Sequence, residues 1–282
     1  MSSFTRRSFL KAAGLAPAAL ALPWPVARGL DMRPEKGRRA LPFALGIASY
    51  SFRSFSLDQA IAMTKRLGIE RLCLKDVHLP LTASAGEIAA AVARVRNAGL
   101  TLSTCGVVYM TTEPEVRRAF AYAKEAGLRF LVGAPDEALL PAAEKAVKET
   151  GISLAIHNHG PTDRRYPSPE SIYTLIANMD RRMGLCIDCG HTQRLGLDPA
   201  AQVERYFDRV FDLHVKDVSA ADAEGTTVEI GRGVIDIPRL LGTLTRLAYA
   251  GTLHIEFEKD ENDPLAGVAE SAGYLRGVLA AA

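Results

Sequence analysis

One local pattern recurs along the chain: a segment with helical character ends in glycine, and an apolar run follows at once. It occurs at Gly68-Ile69, Gly99-Leu100, Gly127-Leu128, Gly151-Ile152 and Gly251-Thr252. Glycine readily adopts the left-handed conformation that ends many helices, so each position predicts a helix C-terminus that leads into a strand. The chain is therefore expected to alternate between helices and strands.

The other ends of the predicted helices carry start signals. Capping-box spacings join Ser56 to Gln59, Ser84 to Glu87 and Thr112 to Glu115, and prolines follow Ser168 and Asp198 where a first helical turn tolerates them. The apolar runs predict eight strands, near residues 44–49, 71–74, 101–107, 129–132, 153–156, 184–187, 211–215 and 253–257.

Eight strands separated by helices predict a single-domain α/β fold, the (β/α)8 TIM barrel. A doubly wound open sheet is the alternative architecture. That fold usually has fewer strands and a glycine-rich phosphate turn after the first strand, whereas the first apolar run here leads into Ser49-Tyr50. The strand count therefore favours the barrel.

The N-terminal region has a different composition from the rest. Arg6 and Arg7 precede an Ala- and Leu-rich stretch, which predicts a twin-arginine export signal over residues 1–27, a linker over 28–41 and the barrel over 42–282. The apolar stretch is shorter than the ~20 residues of a membrane span, and it contains Pro17. We expect export to the periplasm without a stable membrane span.

Charge and cysteine placement exclude other classes of protein. A formal net charge of +2 gives no support for binding nucleic acid. The four cysteines, Cys73, Cys105, Cys186 and Cys189, fall in or beside predicted strands. Buried free thiols are therefore expected instead of a disulfide framework.

Polar side chains follow most of the predicted strands, where a barrel places its active site. They are Lys75, Asp76 and His78 after strand two, His157 and His159 at strand five, Asp188 and His191 at strand six, His214 and Lys216 at strand seven, and Glu256 and Glu258 at strand eight. Imidazole and carboxylate groups at similar depth suit one divalent ion, such as Mn²⁺, Co²⁺, Zn²⁺ or Mg²⁺. His254 lies inside strand eight and is expected to be a core residue.

The order of these segments resembles the xylose isomerase-like, sugar phosphate isomerase/epimerase superfamily over residues 42–280. The segments are Ser49-Tyr50-Ser51-Phe52, His157-Asn158-His159-Gly160, Ile187-Asp188-Cys189-Gly190-His191, Leu213-His214-Val215-Lys216-Asp217 and Ile255-Glu256-Phe257-Glu258. The resemblance implies one divalent metal held by Glu, Asp, His and Glu on strands five to eight. These positions fall on His157, Asp188, His214 and Glu256, with His159 as the alternative to His157.

The histidine at position 157 departs from the family pattern, and this affects the expected mechanism. The resemblance implies that two glutamates move a proton between the faces of an enediolate, and only Glu256 remains. Glu256 is then the expected base, His159 a further acid or base, and Lys216 a group that polarises a carbonyl. The expected substrate contacts are Tyr50, His78, His191 and Arg232, the last in a segment that resembles the family's Gly-x-Gly loop.

The function implied is a metal-dependent isomerase or epimerase that acts on a sugar or keto-sugar through an enediolate-type intermediate. The same intermediate can expel a β-substituent, so a lyase that acts on an oxidised (keto) glycoside is an alternative. A non-catalytic sugar-binding barrel is a second alternative, because fold does not guarantee function. A nuclease of the related endonuclease barrel would need more ligands and a basic groove, which the net charge does not favour.

Overall fold

Parallel strands form one nearly closed barrel sheet in the computed structural model, which describes residues 43–281. The strands are β1 (Ala44–Ala48), β2 (Arg71–Leu74), β3 (Thr101–Cys105), β4 (Val108–Met110), β5 (Phe130–Pro135), β6 (Ser153–His157), β7 (Met183–Asp188), β8 (Val210–Val215), β9 (Asp217–Val218), β10 (Thr227–Val228) and β11 (Thr252–Ile255). Nine of them follow the order β3-β2-β1-β11-β8-β7-β6-β5-β4, and β9 pairs with β10 in a separate antiparallel ribbon.

The two ends of the sheet belong to one interrupted strand. Only Gly106 and Val107 separate β3 from β4, yet β3 pairs with β2 while β4 pairs with β5. The hydroxyl of Thr104 also donates a hydrogen bond to the carbonyl oxygen of Phe130, at 3.2 Å, across this junction. The sheet therefore has eight strand positions, which confirms the predicted TIM barrel and corrects the predicted strand at 101–107, which is broken in two.

Helices cover the outside of the sheet. They are α1 (Leu57–Arg66), α2 (Ala85–Asn97), α3 (Glu113–Glu125), α4 (Leu140–Thr150), α5 (Pro169–Ile176), α6 (Cys189–Gln193), α7 (Pro199–Arg205), α8 (Ile237–Arg246) and α9 (Leu265–Ala281). All three predicted capping boxes are present, and both predicted prolines stand in first turns.

Four of the five predicted glycine stops are confirmed by a positive φ, at Gly68, Gly99, Gly127 and Gly151. The prediction at Gly251 was wrong. Helix α8 ends earlier, at Arg246, and Ala248 takes the left-handed conformation there, with φ of 52°. A non-glycine residue thus performs the turn that the sequence pattern assigned to glycine.

The main apolar core lies between the sheet and the helices, while the space inside the barrel is partly polar. Buried His254 bonds through Nδ1 to Asp212 at 2.9 Å and through Nε2 to the hydroxyl of Ser103 at 2.7 Å. This confirms His254 as a hydrogen-bonded core residue. All four cysteines are free and buried, as predicted.

The predicted export signal and linker, residues 1–27 and 28–41, lie outside the described residues. Within residues 43–281, no helix combines the length and the apolar character needed to cross a membrane.

Candidate active site

The carboxyl ends of four neighbouring strands bring the predicted metal ligands together. His157 and Asp188 are the last residues of β6 and β7, His214 lies one residue before the end of β8, and Glu256 follows β11. Asp188 is directly opposite His214 in the sheet register. Because side chains alternate across a strand, residues at these positions point into the barrel mouth.

The four side chains form a compact buried cluster, in which one donor atom of each lies within 4.8 Å of one donor atom of every other. His157 Nε2 lies 3.0 Å from His214 Nδ1 and 3.5 Å from Asp188 Oδ2. His214 Nδ1 lies 3.4 Å from Glu256 Oε2. The arrangement concentrates two imidazoles and two carboxylates at one point.

Backbone contacts orient the carboxylate of Asp188. Asp188 Oδ1 accepts a hydrogen bond from the backbone N–H of His191 at 2.8 Å. The backbone N–H of Asp188 donates to Asn158 Oδ1 at 3.0 Å. Its Oδ2 faces the cluster and accepts no hydrogen bond of normal geometry from residues 43–281. One oxygen thus fixes the side chain, while the other faces the cluster with the Lys216 ammonium 3.1 Å away.

Two buried lysines neutralise the carboxylates. Lys216 Nζ lies 3.1 Å from Asp188 Oδ2 and 2.9 Å from Glu256 Oε2, and it also contacts Glu258. Lys75 Nζ lies 2.6 Å from Glu256 Oε1.

Burial alone would raise the pKa of Glu256, but Lys216 and Lys75 outweigh it and hold that pKa well below its usual range. Burial would likewise lower the pKa of Lys216, and the three carboxylates raise it instead.

Burial keeps three histidines at the site in their neutral form. Burial lowers the pKa of His157 well below its usual range, lowers that of His191, and lowers that of His159 to about 4. A neutral imidazole keeps a lone pair, which is the form that binds a metal or accepts a proton from a substrate.

A cavity of about 260 Å³ opens over the cluster, and we call it the first cavity. Its lining includes the predicted residues Tyr50, His157, His159, His191 and Glu256, together with Lys75, Asp76, Val107, Tyr109 and Glu258. Carboxylates and imidazoles therefore face a space that is open to a small molecule.

Two predicted substrate contacts do not line the first cavity. Both ring nitrogens of His78 are occupied, Nδ1 by the hydroxyl of Ser49 at 2.9 Å and Nε2 by the carbonyl oxygen of Phe55 at 3.0 Å. Arg232 pairs with Glu270 of α9, and its side chain is 62% exposed. The structure gives His78 a role in joining loops and Arg232 a surface ion pair.

The sequence did not predict the contacts that link three polar side chains at the rim, although Tyr109 was expected to line the pocket. The hydroxyl of Tyr109 lies 2.9 Å from His159 Nε2, and His159 Nδ1 lies 3.3 Å from a carboxylate oxygen of Asp163. The only sequence signal was the presence of Asp163 four residues after His159, inside an irregular loop. Tyr109 comes from a distant strand, and its contact with His159 depends on the closure of the barrel.

Comparison with known proteins gives three kinds of match. A profile of the family described as xylose isomerase-like TIM barrel matches residues 135–278. The rhizopine catabolism protein MocC of Rhizobium meliloti is 33% identical over 129 residues, which are 40% of this chain and 39% of that protein. The inosose dehydratase of Geobacillus kaustophilus is 28% identical over 137 residues, 43% of this chain and 44% of the dehydratase. The matches thus span less than half the length of these relatives.

Among solved structures, the 3-keto-D-glucoside 4-epimerase YcjR from E. coli superimposes with a TM-score of 0.70. The alignment covers 83% of this chain and 99% of the epimerase, at 14% sequence identity. At that identity the likeness concerns the fold.

Proposed function

Because the chain belongs to the xylose isomerase-like TIM barrel family, we propose that it is a divalent-metal-dependent sugar isomerase or epimerase. The proposal rests mainly on the convergence of His157, Asp188, His214 and Glu256, with donor atoms within 4.8 Å of one another at the base of an open cavity. Its substrate would be a sugar or keto-sugar that reacts through an enediolate-type intermediate.

The donor set fits one divalent ion. Asp188 Oδ2 is buried and faces the cluster beside the Lys216 ammonium, and two imidazole nitrogens face each other at 3.0 Å, where a proton or a cation must lie between them. Two imidazoles with two carboxylates suit Mn²⁺, Co²⁺ or Zn²⁺ better than Mg²⁺, which prefers oxygen ligands. When bound, such an ion supplies a Lewis acid that polarises a carbonyl oxygen.

The contacts divide the roles of the three predicted catalytic residues. Both oxygens of Glu256 lie against lysine ammonium groups, so neither oxygen is free to take a proton from a substrate, and the carboxylate is better suited to holding a cation. Lys216 contacts three carboxylates, so we assign it a positioning role in place of the predicted polarisation of a carbonyl.

His159 lines the first cavity as a neutral imidazole, and we assign it the proton transfer at carbon. The contacts of its ring with Tyr109 and Asp163 fix its orientation toward that space. A single imidazole in place of two opposed glutamates also favours proton transfer on one face of the substrate.

This one-sided arrangement supports a second candidate, a lyase or dehydratase that expels a β-substituent from the same intermediate. The matched inosose dehydratases are consistent with it, because dehydration is such an elimination. His157 replaces the glutamate that a two-base epimerase needs. The two candidates share the metal site and the first proton transfer. They differ in the fate of the intermediate, which regains a proton in an isomerase or epimerase and expels a β-substituent in a lyase.

The first test is metal content. Protein purified without chelators is expected to hold about one divalent ion per chain. The Asp188→Ala, His214→Ala double variant is expected to lose the ion, whereas Asp208→Asn, which changes a carboxylate in a surface ion pair, keeps it. Elemental analysis measures all three proteins. No metal in the wild type after incubation with Mn²⁺, Co²⁺ and Zn²⁺ would favour the non-catalytic sugar-binding barrel.

The second test follows the chemistry in D₂O by NMR, with ketoses and 3-keto-glucosides as substrates. Deuterium at the carbon beside the carbonyl reports proton removal, a new epimer identifies an epimerase, and a released substituent identifies a lyase. His159→Gln is expected to slow the exchange by about 10²-fold or more, the usual size of a general acid or base contribution. Equal exchange by metal-free protein would contradict the mechanism.

We further propose that the protein is exported to the periplasm by the twin-arginine route, on the basis of Arg6, Arg7 and the apolar stretch that follows. Replacing both arginines by lysine is expected to leave the full-length chain in the cytoplasm. Cell fractionation measures the distribution, and unchanged export of the double variant would contradict the proposal.

A further inference from the structure

A second cavity, of about 300 Å³, adjoins the first one. It lies between the segment that follows β2, the β4 strand and the beginning of α3. The two cavities share the lining residues Asp76, Val107 and Tyr109. The two cavities therefore lie against the same three side chains.

The ring of Tyr109 is the most prominent part of the division. Its hydroxyl lies 2.9 Å from His159 Nε2, and the two rings stack with their centroids 5.6 Å apart. Tyr109 is nevertheless 53% exposed. An aromatic ring that is held in place at one end and exposed over half its area presents a fixed surface against which a ligand can pack.

The wall of the second cavity is mainly apolar. Leu79, Leu81 and Val108 contribute aliphatic surface. Two of the polar side chains that line it are already bonded: the hydroxyl of Tyr122 donates to the carbonyl oxygen of Leu79, and Glu115 accepts hydrogen bonds from the two backbone N–H groups just before α3.

Arg118 also lines the second cavity, and it makes no ion pair or side-chain hydrogen bond within residues 43–281. A planar guanidinium can stack on an aromatic ring. Aliphatic walls, an exposed tyrosine ring and an unpaired arginine together suit a flat aromatic group better than a second sugar, which needs several hydrogen-bonding partners.

The sizes agree with a ligand of two parts. The first cavity, at about 260 Å³, is slightly smaller than the ~300–1,000 Å³ typical of small-molecule sites, so it suits a single sugar ring. The second offers a similar space directly beside it. We propose that the second cavity is a subsite for the aromatic aglycone of a glycoside, whose sugar ring occupies the first cavity; this rests on the proposed function.

Calorimetric titration of the metal-loaded full chain tests the subsite. The probes are methyl and 4-nitrophenyl β-glycosides of glucose, galactose and xylose. These glycosides carry no keto group, so the titration measures binding without turnover. Wild-type protein is expected to bind the best 4-nitrophenyl glycoside about tenfold more tightly than its methyl counterpart, because one aromatic ring leaves water. Equal dissociation constants for each pair would overturn the subsite.

Variants that fill the second cavity locate the effect. Leu81→Trp is expected to abolish the preference for 4-nitrophenyl while leaving the affinity for the methyl glycoside unchanged. Thr82→Trp, at an exposed position of the same cavity, serves the same purpose if Leu81→Trp does not fold. The matched control is Leu265→Trp, which lines a separate surface cavity. A preference that survives both tryptophans in the second cavity would refute the assignment.

The two levels of the proposal fail in different ways. If an aryl preference is present but solvent deuterium never enters any keto-sugar, the subsite stands and the enzymatic function is wrong. If proton exchange is metal-dependent but aryl and methyl glycosides bind equally, the function stands and the subsite is wrong. If no glycoside binds the metal-loaded protein and no keto-sugar exchanges deuterium, both fail.

Discussion

Replacing Lys216 by methionine tests the charge balance of the buried cluster most directly. The side chain of Lys216 is 2% exposed, and its ammonium lies 3.1 Å from Asp188 and 2.9 Å from Glu256. Methionine retains the length and apolar stem of lysine but removes the charge. In the metal-free variant, less positive charge then balances the buried carboxylates than in the wild type.

Removing one partner of a buried ion pair typically costs about 3–5 kcal/mol, because a charge remains in a poorly solvated place. We expect a loss of that size in the free energy of unfolding, measured by urea denaturation in the presence of a chelator. The control is Lys145→Met, which removes a lysine 3.8 Å from Glu149 in a pair whose side chains are 77% and 63% exposed. An exposed pair of this kind contributes less than about 1 kcal/mol.

A divalent ion is expected to reverse the defect. At a free metal concentration of 100 times the dissociation constant, binding stabilises a folded protein by about 2.7 kcal/mol. The Lys216→Met variant should bind the ion more tightly than the wild type, because Asp188 and Glu256 no longer pair with an ammonium. The reasoning would be refuted if Lys216→Met behaved like Lys145→Met in chelator, or if Mn²⁺, Co²⁺ and Zn²⁺ stabilised neither the wild type nor Lys216→Met.

Three other perturbations follow from single contacts. His159 has a folded pKa of about 4, below the unfolded value of about 6.5, so the unfolded chain binds the proton first as the pH falls. Urea denaturation of metal-free protein between pH 7 and 4.5 should therefore show a loss for the wild type that exceeds the loss for His159→Gln by about 2–3 kcal/mol; equal losses would contradict this. Gly46→Ala would place a Cβ 2.5 Å from the ring of buried His254 and should reduce the free energy of unfolding by about 1–3 kcal/mol. Gly242→Ala, in open space on α8, should stabilise the protein slightly. Thermal unfolding measures both variants, and equal midpoints would contradict the prediction. Arg209 is buried and donates to the carbonyl oxygens of four residues. Arg209→Met should therefore reduce the free energy of unfolding by about 3 kcal/mol or more, whereas Arg205→Met, at an exposed arginine, should reduce it by less than about 1 kcal/mol. Equal denaturation midpoints for the two variants would contradict this.

Much of the fold was predictable because its signals are local. A capping box joins residues three apart, and a glycine stop depends on one residue's backbone, so both can be read without knowing the fold. The prediction at Gly251 was wrong because it, too, relied only on a local signal. The turn after α8 is formed by Ala248, a residue without the usual preference for positive φ, so composition pointed to the wrong position.

For the candidate site, the sequence predicted which residues lie at the barrel rim but not which atoms are in contact. All strands of a parallel barrel end at one rim, so the residues that follow each strand can be assigned to that rim from sequence alone. This reasoning placed His157, Asp188, His214 and Glu256 at the rim, and the family resemblance singled them out as metal ligands. His78 and Arg232 were wrong as substrate contacts, because residues near the same rim can turn away to bond with loops and helices.

The sequence by itself therefore determined the alternation of strands and helices and the set of residues at the barrel mouth, because periodicity and caps act over a few residues. Only the tertiary structure decided which atoms meet. The pairing of Lys75 with Glu256, the contact of Tyr109 with His159 and the break between β3 and β4 depend on the stagger of strands around a closed sheet. Stagger is set by packing of the whole barrel, which no local segment encodes.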